Sequence, residues 1–101
     1  MMAIRTIAVL GAGTMGHGIA HGTAVAGYET RLYDVSEAQL AKARGQIQGI
    51  LTKSVELGKL AAAEVDATMG RLSTTSDVAA ALAGVDFIIE AAPEKIDLKV
   101  K

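Results

Sequence analysis

Cysteine and tryptophan are absent from this 101-residue sequence, and proline occurs only once. Without cysteine the chain can form neither a disulfide scaffold nor a thiolate metal site. Aromatic residues make up only 3% of the sequence, so the core must be aliphatic and stacking on nucleic-acid bases has few candidates. The net charge of −1 also argues against nucleic-acid binding, because such proteins usually carry a basic excess.

Formal charge is missing from a long stretch near the N-terminus, Thr6 to Tyr28. Glycines and two histidines, His17 and His21, interrupt it, so it does not resemble a lipid-facing helix of about 20 apolar residues. The apolar run Ile7 to Leu10 is too short for a secretory signal and is followed by a glycine turn. We therefore expect no membrane interaction and a cytoplasmic location. The hydrophobic fraction of 50% excludes global disorder.

Strand and helix patterns alternate along the chain. A continuously apolar run such as Ile7 to Leu10 is typical of a parallel strand buried on both faces. The predicted strands are Ile4–Leu10, Glu29–Asp34, Leu72–Thr74 and Val85–Ala91. The predicted helices are Thr14–Ala26, Ser36–Leu57, Ala61–Met69 and Ser76–Ala83, and Lys95–Lys101 has the pattern of a further amphipathic helix. This order predicts an α/β fold with a parallel sheet and right-handed crossovers.

A glycine motif of the form G-x-G-x-x-G, Gly11 to Gly16, lies between the first strand and the first helix. Gly11 permits the tight turn, and Gly13 lets the backbone approach a pyrophosphate. Gly16 lets the helix pack close to the strand. The N–H groups and the dipole at the start of this helix attract a pyrophosphate. The motif therefore predicts a Rossmann-type dinucleotide site, the alternative being glycines that only form a turn.

Asp34 ends the second predicted strand, close to the spacing of about 20 residues at which dinucleotide-binding folds place an acid. Its carboxylate can accept hydrogen bonds from a ribose hydroxyl and repels a 2′-phosphate, so NAD is favoured over NADP. Arg31, on the same strand, weakens this preference. NAD is the predicted cofactor.

The segment Gly11–Ala20 (GAGTMGHGIA), followed by Tyr33 and Asp34, resembles the start of the 3-hydroxyacyl-CoA dehydrogenases. Their short-chain bacterial branch, the 3-hydroxybutyryl-CoA dehydrogenases, is most similar. Ser36–Met69 resembles the helical hairpin that this family inserts after the second strand, and Asp86–Lys99 resembles its stretch after the fourth strand. The resemblance implies that residues 1–101 are the N-terminal part of a truncated Rossmann domain. The family's catalytic residues and its C-terminal helical domain, for substrate binding and dimerisation, would then be absent.

The same resemblance implies roles for individual residues. It places the pyrophosphate on the glycine loop and the adenosine ribose on Asp34. It places Glu94 and Lys99 on the nicotinamide side, although a solvated helix start is the simpler interpretation of these two residues. The implied cofactor-binding residues are Gly11, Ala12, Gly13, Thr14, Met15, Gly16, Asp34, Ala91, Ala92, Pro93, Glu94 and Lys99.

In this family the long helix contributes a serine and a lysine to the coenzyme A site. These two residues have no clean match here, and the corresponding positions fall near Ile50 and Leu57, which lack those groups. Lys53 or Lys59 could substitute, because an ammonium group can meet a phosphate, although a solvated helix face explains both lysines as well. His17 and His21 are four residues apart, but without a third ligand we expect no metal site. We also expect no catalytic residue within the chain.

The leading hypothesis is the NAD-binding portion of an oxidoreductase of fatty acid metabolism that transfers hydride between NAD and a 3-hydroxyacyl-CoA. The whole enzyme would be a homodimer, and the 101 residues alone would be inactive. Alternatives are another β-hydroxyacid dehydrogenase, of the 6-phosphogluconate type, a non-catalytic dinucleotide-binding module, and a protein-interaction fragment. The long hairpin argues against the first alternative. An uncovered sheet edge predicts marginal stability and self-association.

Overall fold

Strands and helices alternate in the computed structural model, which describes residues 4–92 and 95–100. The order is β1 (Thr6–Leu10), α1 (Thr14–Val25), β2 (Glu29–Tyr33), α2 (Glu37–Glu56), α3 (Ala62–Arg71), β3 (Leu72–Thr75), α4 (Val78–Leu82), β4 (Phe87–Ala92) and β5 (Lys95–Val100). Up to β4 this order agrees with the sequence prediction, and the bounds differ by a few residues at the element ends. In the described ranges, no helix combines the length and apolar character needed to cross a bilayer.

The strands form a single sheet in the order β3-β2-β1-β4-β5. The first four strands of the chain are parallel, and β5 runs antiparallel to β4. Consecutive strands β1, β2 and β3 extend the sheet in one direction, whereas β4 lies on the other side of β1. The strand order therefore reverses at β1 and β4, and such a reversal opens a crevice at the carboxyl ends of the strands.

The core lies between the sheet and α1, α2 and α3. The buried residues of α1 are small, Gly16, Ala20 and Ala24, so its axis can approach the sheet closely. Helix α2 packs a longer stripe, in which Leu40, Ala43, Ile47 and Leu51 are buried at helical spacing. These two helices fix the walls of the crevice above β1.

The predicted helix at Lys95–Lys101 is wrong, because the structure has strand β5 at residues 95–100. The letters KIDLKV alternate polar and apolar residues with a period of two, which is the period of a half-buried strand. The open edge of β4 also offers backbone groups to pair with, and β5 takes them from Phe87↔Val100 to Ala92↔Lys95. Regular alternation and an available edge outweigh the weak helical pattern of so short a segment.

Candidate cofactor site

A cavity of about 590 Å³ lies at the carboxyl ends of β1, β2 and β4, where the strand order reverses. It is lined by Gly11, Gly13, Thr14, Met15, Gly16, Asp34, Gln39 and Ala91. The structure thus brings together the glycine loop, the acid after β2 and the end of β4, which lie far apart in the sequence. Crevices of this kind hold ligands in open α/β sheets.

Two glycines of the loop are required by close backbone contacts. Gly11 has a φ of +110°, and a Cβ there would lie 2.6 Å from the carbonyl oxygen of Ala91. At Gly16 a Cβ would lie only 1.7 Å from the carbonyl oxygen of Gly11. No other residue fits at Gly16 unless the turn moves, so this glycine sets how closely α1 approaches β1.

Gly13 serves a different purpose. It is the N-cap of α1, and its carbonyl accepts the first helical hydrogen bond from the N–H of His17 at 2.9 Å. A Cβ here would project into the cavity, with the side-chain nitrogen of Gln39 as its nearest neighbour at 4.0 Å. The missing side chain leaves a cradle beside the first N–H groups of α1, which lack intrahelical acceptors. A phosphate-sized anion fits this cradle in both space and charge.

Asp34 joins the glycine loop to the start of α2. Its Oδ2 accepts a hydrogen bond from the N–H of Ala12 and its Oδ1 accepts one from the N–H of Ser36, each at 2.9 Å. An ionised carboxylate has about four acceptor sites, so each oxygen keeps a lone pair for a further donor. The acid is therefore held in place by the loop and can still accept a hydroxyl hydrogen bond from the cavity.

Arg31 does not contribute a positive charge beside Asp34. Its guanidinium donates hydrogen bonds to the carbonyl oxygens of Ala80, at 3.2 Å, and of Ala83 at the end of α4. A cation at a helix C-terminus is favourable because it meets the negative end of the dipole. Arg31, which weakened the sequence-based preference for NAD, is thus hydrogen-bonded to the end of α4.

A shallower cavity of about 330 Å³ lies on the other side of Asp34. Tyr33, Val35 and Glu90 are among its lining residues. Val35 is 80% exposed, which is unusual for a β-branched aliphatic residue and provides apolar surface beside the acid. Sequence reasoning missed Val35, although an aliphatic residue directly after Asp34 was a visible signal.

A third cavity, of about 550 Å³, lies along α2. Its lining residues are His17, Gln46, Gly49, Ile50, Lys53, Ser54, Leu57 and Lys59. The structure thus brings Lys53 and Lys59 to one cavity, together with Ile50 and Leu57. Sequence reasoning missed Ser54, whose hydroxyl donates to the carbonyl of Ile50 at 3.1 Å. Its spacing of four residues from Ile50 was the available signal.

A small crevice of about 60 Å³ lies between the start of α1 and α2. It is lined by Ala12, Gly13, Thr14, His17, Gln39, Lys42 and Gln46, so it shares residues with both larger cavities. Gln39, Lys42 and Gln46 follow one another at helical spacing and turn the same face of α2 towards α1. Sequence reasoning missed this face of α2.

The two histidines of α1 have local roles. The Nδ1 of His17 lies 3.0 Å from the carbonyl oxygen of Gly13, within hydrogen-bond distance. Burial lowers the pKa of His21 below its ordinary value of 6.5, and the nearby His17 lowers it further. Within residues 4–92 and 95–100, no three His, Cys, Asp or Glu side chains gather where a metal ion could be held.

Several predicted site residues lie at or beyond the end of β4. Ala91 lines the cavity, and Ala92 is the last residue of β4. Lys99 lies in β5, where its backbone pairs with Ile88. Pro93 and Glu94 lie outside the described residues. The nicotinamide-side roles of these residues therefore stay predictions.

The chain matches known proteins over almost its whole length. Residues 6–101 match the family described as 3-hydroxyacyl-CoA dehydrogenase, NAD binding domain. The 3-hydroxyadipyl-CoA dehydrogenase of Escherichia coli is 41% identical over 98% of this chain and 21% of its own length. The mitochondrial hydroxyacyl-coenzyme A dehydrogenase of Rattus norvegicus is 36% identical over 95% of this chain and 32% of its own length.

Solved structures agree with the sequence matches. The crystal structure of a 3-hydroxybutyryl-CoA dehydrogenase from Escherichia coli superposes with a TM-score of 0.87 at 41% identity, covering 93% of this chain and 20% of that one. The predicted Rossmann-type α/β fold and the predicted cofactor, NAD, are confirmed. The chain spans about a fifth to a third of the length of these relatives. It belongs to the NAD-binding domain family of the 3-hydroxyacyl-CoA dehydrogenases.

Proposed function

We propose that this chain is the NAD-binding part of an enzyme that transfers hydride between C3 of a 3-hydroxyacyl-CoA and NAD. The observation that carries the proposal is the cavity in which Asp34 is bonded to the glycine loop beside the cradle at Gly13. Bound NAD supplies the hydride acceptor, and the protein supplies position and electrostatics. The family match supports the acyl-CoA class of substrate, and it argues against a 6-phosphogluconate-type enzyme.

The residues of the loop bind and orient the dinucleotide. The N–H groups at the start of α1 hold the pyrophosphate, since Gly13 has no side chain to obstruct them. Asp34 accepts hydrogen bonds from the adenosine ribose through the lone pairs left beside Ala12 and Ser36. Val35 offers apolar surface to the adenine from the adjoining cavity. Ala91 forms part of the wall where the chain leaves β4.

The cavity along α2 holds part of the coenzyme A moiety. Lys53 and Lys59 place two ammonium groups in its lining, where they attract phosphate. Ile50 and Leu57 are 45% and 58% exposed and give the same cavity an apolar wall. A ligand with a phosphate end and a less polar arm fits this combination.

We propose that the 101 residues bind NADH but do not oxidise substrate, and that the whole enzyme is a cytoplasmic homodimer. Oxidation of 3-hydroxybutyryl-CoA by the purified chain would contradict the first of these statements.

Titration of coenzyme A into the chain tests the role of the two lysines. We expect Lys53→Gln and Lys59→Gln each to weaken binding by about threefold to tenfold in low salt, since each removes a cation near a phosphate. Arg5→Gln is the matched control, because Arg5 is exposed and is not among the residues that line the cavity along α2. Equal binding by all three variants would contradict this placement of coenzyme A.

A further inference from the structure

Gln39 lies opposite the glycine loop, on the first turn of α2. It is half-buried and lines both the large cavity and the crevice behind it. Its side-chain nitrogen is the atom nearest to the space that a side chain at Gly13 would fill. The carboxamide therefore borders the cradle at Gly13 from the side of α2.

The capping interactions of α2 do not require this side chain. The Oγ of Ser36 accepts a hydrogen bond from the backbone N–H of Gln39 at 3.1 Å. In a complete capping box the Gln39 carboxamide would accept from the N–H of Ser36 in return. Here that N–H donates to Asp34 instead. Asp34 thus accepts the hydrogen bond that Gln39 would accept in a complete capping box. The carboxamide of Gln39 is therefore left to face the loop.

The chemistry around Gln39 suits an anion. Of the residues lining the large cavity in the described part of the chain, Gln39 has the one side chain with N–H donors. The crevice behind it is lined by Lys42 and His17, and none of the described residues that line it is a carboxylate. A neutral donor beside a cation attracts a diphosphate, which carries negative charge on both phosphates.

We propose that Gln39 is a cofactor-binding residue whose carboxamide donates a hydrogen bond to the pyrophosphate of NAD. This inference rests on the proposed NAD site at the glycine loop. The pyrophosphate is then held from two sides, by backbone N–H groups of α1 and by a side chain of α2. The bound dinucleotide then links α1 to α2. This link adds to the two hydrogen bonds by which Asp34 joins the glycine loop to the start of α2.

The decisive variant is Gln39→Glu, which keeps the size of the side chain and replaces the donor with a carboxylate. Glutamate in the first turn of a helix interacts favourably with the N-terminal dipole, so the fold is not weakened. The control is Gln48→Glu, the same substitution at an exposed residue of α2 that is not among the cavity-lining residues. Gln39→Met removes the donor without adding charge.

Binding of NADH to each chain is measured by calorimetry, with a melting curve in the absence of NADH as the check on folding. We expect Gln39→Glu to weaken NADH binding about tenfold or more, less so at high salt, because like charges then meet in the cavity. Gln39→Met should weaken it about threefold to tenfold, and Gln48→Glu by less than about twofold. Binding of adenosine, which lacks the diphosphate, should be the same in all four chains.

NADH binding by Gln39→Glu as tight as by the unsubstituted chain would overturn the inference and leave the proposed function standing. An equal loss of adenosine binding would also overturn it, because Gln39 would then act on the site as a whole. If the unsubstituted chain binds no NADH, the proposed function fails, and this inference fails with it.

Discussion

Asp34 has a structural role in the glycine loop and a proposed role in the choice of cofactor. Its two oxygens accept from two different backbone N–H groups, those of Ala12 and Ser36. The carboxylate therefore holds the loop in place, and in the proposed NAD site it would also put negative charge where a 2′-phosphate would lie.

Replacing Asp34 with asparagine should damage both roles. One of the two oxygens becomes an NH₂ group that faces a backbone N–H, which we expect to lower the free energy of unfolding by about 1–3 kcal/mol. NADH binding should weaken, and the preference for NADH over NADPH should shrink. Denaturant unfolding and titration with both cofactors measure these effects.

Asp77→Asn is the matched control for that variant. Asp77 is the N-cap of α4, where its Oδ1 accepts from the N–H of Ala79 at 3.0 Å. Asparagine caps helices as well as aspartate does, so stability and cofactor preference should change little. Equal effects of the two substitutions would contradict the special role of Asp34.

Asp86 makes the stability of the chain depend on pH in acid. The backbone N–H groups of Arg5 and Thr6 donate to its carboxylate and lower its pKa below the ordinary value of 3.8. A carboxyl whose pKa is lowered by folding stabilises the protein above the unfolded pKa, and this contribution disappears as the pH falls through the folded pKa. Asp86→Asn should therefore melt at a lower temperature than the parent at pH 7.

The difference between the two melting temperatures should close in acid. It should begin to narrow near pH 3.8, where the carboxyl of the unfolded chain takes up its proton, and close once the pH has fallen through the lower pKa of the folded carboxyl. Melting curves of both chains from pH 7 to pH 2 provide the measurement. A constant difference across this range would show that the carboxylate charge has no part in holding the start of β1.

At the level of elements, the glycines of α1 differ sharply in what surrounds them. Gly16→Ala would force a Cβ to within 1.7 Å of the Gly11 carbonyl oxygen, so the loop must shift. We expect destabilisation of about 1–3 kcal/mol and loss of NADH affinity. Among the described residues nothing lies within 4 Å of the Cβ position of Gly18, so Gly18→Ala should stabilise the helix by about 0.5–1 kcal/mol.

Chemical unfolding and NADH titration of the two alanine variants test this contrast. The substitutions lie two residues apart on one helix, so any general effect of alanine is shared. Tolerance of alanine at Gly16 would contradict the tight packing of α1 against β1.

The secondary-structure elements that were best predicted from the sequence are those with a strong local sequence pattern. Apolar runs and the glycine motif predicted β1 to β4 and the helices between them, because burial and glycine turns act over a few residues. Strand β5 was missed because a six-residue segment satisfies a helical and a strand pattern almost equally. The edge of β4 that decides between them is a tertiary feature.

Site residues on α2 were harder to predict than those of the loop. The glycine motif predicts the conformation of the loop directly from its residue types. Gln39 and Ser54, in contrast, resemble ordinary residues of a polar helix face. Their placement depends on how α2 crosses α1, and that follows from the buried stripe of Leu40, Ala43, Ile47 and Leu51. Local sequence patterns do not predict how α2 crosses α1.

For the molecule as a whole, the cofactor cavity is built from elements at the centre of the sheet. Its walls come from the ends of β1 and β4, the loop into α1, Asp34 after β2 and the first turn of α2. All of these belong to this chain, although it spans only about a fifth to a third of its relatives. The central claim is therefore that these residues fold and bind NAD together.

Thermal unfolding of the purified chain, followed by circular dichroism with and without NADH, tests that claim most directly. A ligand that binds only the folded state adds about 2.7 kcal/mol of stability at 100 times its dissociation constant. For a domain of this size we expect one cooperative transition that NADH raises by about 10 °C or more, and NADPH by less. A transition that NADH leaves unchanged, or the absence of any cooperative transition, would contradict the claim.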